Sequence, residues 1–134
     1  MEVTHRTTKI RIAPRKLRLV AEKVKHMPAA KALELLPLVN RGGALHVRKS
    51  LKAAIAAAED QNYDKDTLVI QRIWCDEGAN MKRYIGHSRG RTSGIMKKHS
   101  HLSIVLKGEQ FGKAAKAKPA KAQKPEDTIV EQEK

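Results

Sequence analysis

The segment from residue 76 to residue 101 constrains the fold more than any other part of the sequence. Apolar, strand-like runs at residues 67–75 and 102–106 flank it, so its two ends are expected to pair as an antiparallel ladder. Its middle carries three glycines, at positions 86, 90 and 94, and six Lys or Arg residues, but too few apolar residues to build a core. Alone in water such a hairpin is expected to be marginal or disordered. The basic residues therefore indicate a functional loop that binds a polyanion.

The charge of the chain points to a nucleic-acid partner. Its 134 residues suit one domain, and its formal net charge of +14 corresponds to a pI of about 10.2. Six lysines and four acids lie beyond residue 110, so +12 of this charge belongs to residues 1–110. An anionic membrane is the weaker alternative, because no apolar run approaches the roughly 18 residues of a spanning helix and no basic helix has a Trp/Phe-rich face.

The single cysteine, Cys75, excludes an internal disulfide and is typical of a reducing compartment. Residues 1–6 lack the apolar segment of a signal peptide and the amphipathic, Ser/Arg-rich character of a transit peptide. The sequence therefore predicts a cytoplasmic protein, unless a presequence has been removed.

Two helices are predicted after an edge strand. Residues 3–12 mix β-branched and basic side chains, which is typical of a charged edge strand. Pro14 suits the first position of a helix with one apolar face. A shorter helix at residues 29–36, with Leu33 and Leu36 pointing inward, is expected to end at Pro37. The buried face of the first helix comprises Leu17, Val20, Ala21 and Val24.

The longest predicted helix covers residues 44–60. The pair Gly42-Gly43 before it lacks the Walker lysine and the dinucleotide-binding fingerprint, and is predicted to be a plain turn. Apolar residues recur at helical spacing along this helix, and its small alanines permit close packing, so it is expected to be the central helix of the core. The apolar series comprises Val47, Leu51, Ala54, Ile55 and Ala58.

The last part of the chain has a different composition. Residues 111–134 are rich in Lys, Ala, Pro, Gln and Glu and are predicted to form a disordered tail, because they cannot bury apolar surface. Residues 1–110 are then a single RNA-binding domain that includes the hairpin.

Enzymatic and metal-binding interpretations find little support. His99 and His101 could meet Cys75 across neighbouring strands, but a zinc site would lack its fourth ligand. Ser100, His101 and Asp76 are the residue types of a hydrolase triad, yet no nucleophile elbow accompanies them. No catalytic residue, cofactor, metal or small-molecule substrate is therefore expected.

Three separate elements, two helices and the hairpin, each have an excess of basic residues. A charge run is usually solvated surface, but cationic excess on three elements causes a self-repulsion from which an ordinary soluble domain gains nothing. The four aromatic residues are too few for a stacking platform, so phosphate contact, groove shape and arginine stacking are expected to dominate. The predicted RNA-binding residues are Arg11, Arg15, Lys16, Arg18, Lys25, Arg48, Lys49, Lys52, Lys82, Arg83, Lys97 and Lys98.

Several stretches, in order along the chain, resemble the family of the large-subunit ribosomal protein numbered twenty-two. Residues 13–21, APRKLRLVA, are similar to its first helix, and residues 50–59, SLKAAIAAAE, are similar to its long alanine-rich helix. The resemblance covers residues from about 8 to 106. The stretches that follow its extended hairpin are Asp76-Glu77-Gly78, Met81-Lys82-Arg83, Gly90-Arg91 and Ser100-His101.

The resemblance implies an α+β fold, with a small three-stranded antiparallel sheet, about three helices on one face and a long protruding β-hairpin. It also implies a structural constituent of the large ribosomal subunit that binds ribosomal RNA, supports assembly and lines the nascent-peptide exit tunnel with its hairpin tip. Implied partners are ribosomal RNA, neighbouring large-subunit proteins and, at the tip, the nascent peptide. The tip comprises Ile85, Gly86, His87, Ser88, Arg89, Gly90, Arg91 and Thr92.

Two other hypotheses stay open on the residues alone. A histone-like DNA-compacting protein would bind duplex DNA of any sequence as tightly as ribosomal RNA. An RNA-modifying enzyme would need a cofactor pocket, which the sequence does not indicate.

Overall fold

The computed structural model of the chain describes residues 2–110, which form a three-stranded sheet, three α-helices and a two-stranded hairpin. In chain order the elements are β1 (Glu2–Ile10), α1 (Pro14–Val24), α2 (Ala29–Leu35), α3 (Gly42–Asp60), β2 (Val69–Glu77), β3 (Met81–Gly86), β4 (Thr92–Lys97) and β5 (Ser100–Lys107). The sheet has the order β1-β5-β2 with antiparallel neighbours, and β3 pairs with β4. This arrangement confirms the predicted α+β fold. The predicted tail lies outside the described residues.

The core lies between the helices and one face of the sheet. Leu102, Ile104 and Leu106 of the central strand β5 are completely buried in it, and they alternate with residues that point to the other face. The predicted inner faces of α1 and α3 are confirmed, since every residue of both apolar series is buried. Leu36 is buried as predicted, whereas Leu33 is only partly buried at the edge of the core.

Two helix boundaries differ from the predicted ones, one near Pro37 and one at Gly42-Gly43. Helix α2 ends at Leu35, and Pro37 lies in a 3-10 turn at Leu36–Leu38. The prediction of a plain turn at Gly42-Gly43 was wrong, because both glycines belong to the first turn of α3. A Cβ atom on Gly43 would lie 3.3 Å from Leu17 Cδ1, so a glycine there lets α3 approach α1 closely.

Strand β1 is shorter than predicted, ending at Ile10 instead of Ile12. Lys9 has a left-handed φ of 58°, and the pairing of β1 with β5 is irregular between Thr7 and Ile10. The left-handed residue marks a bulge in β1, and the pairing resumes at Ile10 with Ser100 before the strand ends.

The outer edge of β2 is covered by the chain between α1 and α2. The backbone N–H of His26 donates to the Ile70 carbonyl at 2.9 Å, and the Ile70 N–H donates to the Met27 carbonyl at 3.0 Å. Further along, Arg18 donates from Nε and Nη2 to the Cys75 carbonyl at 3.2 and 3.0 Å. These bonds satisfy an edge that would otherwise be open to pairing with another chain. Among the described residues no helix is long and apolar enough to cross a membrane.

Candidate nucleic-acid interface

The hairpin formed by β3 and β4 carries an unopposed positive charge. Its ladder runs from the pair Met81 and Lys97 to the pair Gly86 and Thr92, and no residue between 81 and 98 is buried. Residues 78–99 contain six Lys or Arg residues and no Asp or Glu. With no buried side chain, this hairpin holds together through its backbone ladder and cross-strand contacts alone.

Basic side chains occur on both faces of the hairpin. Directly paired residues share a face, so Lys97 lies beside Met81, while Lys82 lies beside Met96 on the other face. Arg83 shares a face with Lys97 and donates to the Lys82 carbonyl at 2.7 Å. Cations on two opposite faces suit an element surrounded by phosphates better than one lying on a flat surface of RNA.

A bulge separates the hairpin from the sheet. Glu77 pairs with Ser100 and Met81 pairs with Lys97, so residues 78–80 on one strand face only residues 98–99 on the other. Gly78 closes this bulge by donating its N–H to the His99 carbonyl at 2.9 Å, and a Cβ there would lie 3.2 Å from the His99 carbonyl carbon. An extra residue on one strand bends the ladder, so the bulge sets the direction of the hairpin relative to the body.

The base of the hairpin is bonded to the end of β1 and to the loop that follows it. Ser100 Oγ donates to the Ile12 carbonyl at 2.9 Å, and the Lys9 N–H donates to His101 Nδ1 at 3.1 Å. His99 is only 7% exposed, and its Nδ1 has no partner among residues 2–110. His99 and His101, which the sequence suggested as possible metal ligands, thus lie at the base of the hairpin: His99 is buried there and His101 accepts a hydrogen bond from the backbone of β1.

The tip turns through two successive left-handed residues. Arg89 has a φ of 57° and Gly90 a φ of 67°, within a 3-10 turn at Ser88–Gly90. The His87 N–H donates to the Arg91 carbonyl at 2.6 Å, and the His87 ring bonds Ser93 Oγ at 2.7 Å. Gly90 takes the left-handed conformation without the steric penalty that a side chain brings, and all tip residues are exposed.

On the body, the predicted residues Arg11 and Lys16 line one groove of about 510 Å³, together with Arg41. Arg41 also lines an adjacent groove of about 530 Å³ with Arg48, whose buried Nε has no partner among the described residues. Arg41 was not among the predicted RNA-binding residues, although it lines the groove beside Arg11 and Lys16. No signal in the sequence pointed to it, because the helix was predicted to begin at residue 44; in the structure Arg41 directly precedes α3, whose N-terminus has no side-chain cap and no acid in its first turn and therefore favours anions.

The other predicted body residues are more dispersed. Arg15 and Lys52 are exposed, and Lys49 lines a small groove of about 240 Å³ beside Thr7. Arg18 and Lys25 meet in a groove between α1 and β2, where Arg18 has the additional role of bonding the Cys75 carbonyl. The structure thus groups the predicted residues into several patches around the body.

Few of these charges are neutralised by other side chains of residues 2–110. In residues 2–110 the ion pairs are Lys65 with Glu59 at 3.1 Å and Arg72 with Glu2 at 3.3 Å. Neither pair includes a predicted RNA-binding residue. These cations are therefore free to pair with an external polyanion, and each neutralised phosphate would release counterions.

The side chains considered for metal binding are not arranged for it in the described part of the chain. No three His, Cys, Asp or Glu residues there lie close enough to hold a metal ion. Burial raises the pKa of the Cys75 thiol from 9.0 to about 11, although the nearby Arg18 opposes this shift. At neutral pH the thiol is therefore protonated, while a metal ligand would need the thiolate.

A comparison with protein-family models shows to which family the chain belongs. The model described as Ribosomal protein L22p/L17e matches residues 5–107, which include the complete hairpin and every core residue of the body except Val3. The match extends over most of the chain. The chain therefore belongs to this ribosomal protein family, and it is a structural constituent of the large ribosomal subunit in the cytoplasm that binds ribosomal RNA.

Proposed function

We propose that the α+β body, within residues 1–110, anchors the chain on ribosomal RNA while the hairpin extends through the RNA. The tip at residues 85–92 then lines the nascent-peptide exit tunnel and contacts the nascent peptide. The basic patches on α1, α3 and the hairpin bind separate RNA segments and support assembly of the subunit by holding these segments together.

One observation carries this proposal: the hairpin has no buried side chain between residues 81 and 98 and no acid between residues 78 and 99. A protein that stayed on the outside of its partner would gain little from such an element, because the hairpin adds repulsion and no core. Counter-charge on both faces would stabilise it, and folded RNA supplies that charge densely.

The length of the hairpin supports a deep position for its tip. The arm from Gly78 to Ser88 spans about ten residues, which corresponds to roughly 33 Å of extended strand. At the end of this arm, Arg89 and Arg91 can bond phosphates or stack on bases, and His87 is held by Ser93. A tip with these polar and basic side chains suits a solvent-exposed tunnel wall that is made mainly of RNA.

The test shortens the tip without disturbing the ladder. Gly86 and Thr92 are the last directly paired residues, so replacing residues 87–91 by Asn-Gly closes the hairpin with a two-residue turn. We expect the shortened protein to enter large subunits that sediment normally at high salt. Ribosomes that contain it should show changed stalling of nascent chains or a changed response to inhibitors that bind in the tunnel.

A full-length variant with Arg89→Gln and Arg91→Gln is the matched control, because it removes the same two charges and keeps the length. A loss of incorporation with the shortened tip, with normal translation by any subunits that do form, would make the tip an assembly anchor and contradict its place in the tunnel wall.

A further inference from the structure

We propose that the groove between α1 and the edge of β2 binds one unpaired nucleotide of the RNA, with its base stacked on Trp74 and its phosphate held by Arg18 and Lys25. This inference rests on the RNA binding described above and adds to it a site for single-stranded RNA. The groove, called the α1–β2 groove below, has a volume of about 360 Å³ and is lined by Arg18, Glu22, Lys25, Ile73 and Trp74 among others.

Trp74 is placed for contact with a ligand. Its neighbours Ile73 and Cys75 are buried in the core, whereas Trp74 points the other way along the pleat and is 41% exposed. It is the only tryptophan in the chain, and a side chain of this size usually lies mostly out of water. Trp74 belongs to the groove lining from the edge strand, so a base that lies over this edge can stack on its indole.

Arg18 is held in place before any ligand arrives. Its two hydrogen bonds to the Cys75 carbonyl use two of the five guanidinium N–H groups and fix the plane of the group at the edge of β2. The remaining N–H groups can donate to a phosphate oxygen, and little side-chain entropy is lost because the side chain is already ordered. Lys25, exposed just after the end of α1, adds a second positive charge to the same groove.

The acid in the groove argues for a nucleotide over a simple anion. Glu22 lines the groove with the two cations, and its carboxylate would repel a free phosphate or a run of phosphates. A base can instead donate a hydrogen bond to this carboxylate from an amino or imino group on its Watson–Crick edge. Such an edge is accessible only in a base that is unpaired. The combination of indole, carboxylate and two cations therefore matches one single-stranded nucleotide, and it does not require a broad aromatic platform.

The single tryptophan allows a direct test. The full-length protein is titrated with a 12-nucleotide single-stranded RNA and with the same strand annealed to its complement, and Trp74 emission is followed. A parallel filter-binding assay with a fragment of large-subunit ribosomal RNA measures overall binding. We expect saturable quenching by the single strand and little change with the duplex. The Lys25→Gln variant should bind the single strand about tenfold more weakly.

The matched control is Lys23→Gln, which removes the same charge from the same helix at an exposed residue outside the α1–β2 groove. In filter binding with the same single strand, which does not depend on Trp emission, Trp74→Phe should keep most of the affinity because it retains a ring, while Trp74→Leu should lose it. Unchanged Trp74 emission under conditions where filter binding is saturated would overturn this site and leave RNA binding by the chain intact. Equal losses in Lys23→Gln and Lys25→Gln would also overturn it. An absence of binding in both assays would instead contradict the RNA-binding function itself.

Discussion

The contribution of the hairpin to RNA binding can be measured by removing its charge. A protein with Lys82→Gln, Lys97→Gln and Lys98→Gln loses three exposed cations, none of which forms an ion pair within residues 2–110. Lys82 and Lys97 lie on opposite faces of the hairpin. The substitutions should therefore leave the fold unchanged, while both faces of the hairpin lose contacts with phosphates.

The expected magnitude follows from counterion release. Each phosphate contact contributes about 0.7 to 0.9 to the slope of log affinity against log salt, so three lost contacts should reduce the slope by about 2 to 3. Between 50 and 200 mM salt, the affinity of the unmodified protein should then fall about 20- to 40-fold more than that of the triple variant. The two proteins should become similar as the salt concentration rises.

The assay is filter binding to a ribosomal RNA fragment over a series of potassium chloride concentrations. The control has Lys23→Gln, Lys31→Gln and Lys107→Gln, which removes the same net charge from exposed positions on the body. A control slope reduced as much as that of the hairpin variant would mean that only total charge matters. An unchanged slope in the hairpin variant would refute the assignment of these lysines to phosphate contact.

Three other predictions concern the fold. Gly43→Val should destabilise the protein by about 1–3 kcal/mol in urea unfolding, because its side chain would meet Leu17 between α1 and α3, whereas Gly42→Ala, with nothing within 4 Å, should be neutral or slightly stabilising. Iodoacetamide should alkylate Cys75 slowly in the folded protein at pH 8 and rapidly in urea. Folding raises the pKa of the Cys75 thiol to about 11, so the unfolded protein loses the thiol proton at a lower pH than the folded protein does. The free energy of unfolding should therefore fall between pH 9 and 11, and it should fall less in Cys75→Ala. In amide hydrogen exchange on the free protein, α3 should be strongly protected and β3 and β4 weakly protected; equal protection of both would contradict the lack of a hairpin core.

Local periodicity explains which parts of the fold could be predicted from the sequence. The apolar series in α1 and α3 repeats with the period of a helix, and a buried face follows from that spacing without knowledge of its partner. The pairing of β2 with β5 could also be predicted, because the two apolar runs lie at the two ends of one hairpin and chain connectivity brings them together. The ends of the elements were harder to predict: Gly42-Gly43 suggested a turn, but α3 includes both glycines, and Leu17 packs against Gly43.

The grouping of side chains from distant elements could not be read in this way. Arg18 was predicted to contact RNA because it lies on the basic side of α1, and no local pattern indicates its bonds to the carbonyl of Cys75, 57 residues away. Arg41 was missed since its neighbours Arg11 and Lys16 come from another part of the chain. The α1–β2 groove is a product of the same helix-to-sheet packing. Patches of this kind exist only once the core has fixed the distances between elements.

The charge of the hairpin and its lack of a core have a common physical explanation. A two-stranded hairpin has an open edge on each strand, and a hairpin with apolar faces would hold itself together but would also pair with other copies of the chain. Here apolar residues such as Met81 and Met96 remain exposed, and each faces a lysine across the ladder. Those lysines keep the edges of separate molecules apart through repulsion, at the cost of repelling one another within the hairpin. Because counter-charge would relieve this repulsion, we expect the hairpin to resist self-association in the free protein and to gain stability where phosphates surround it.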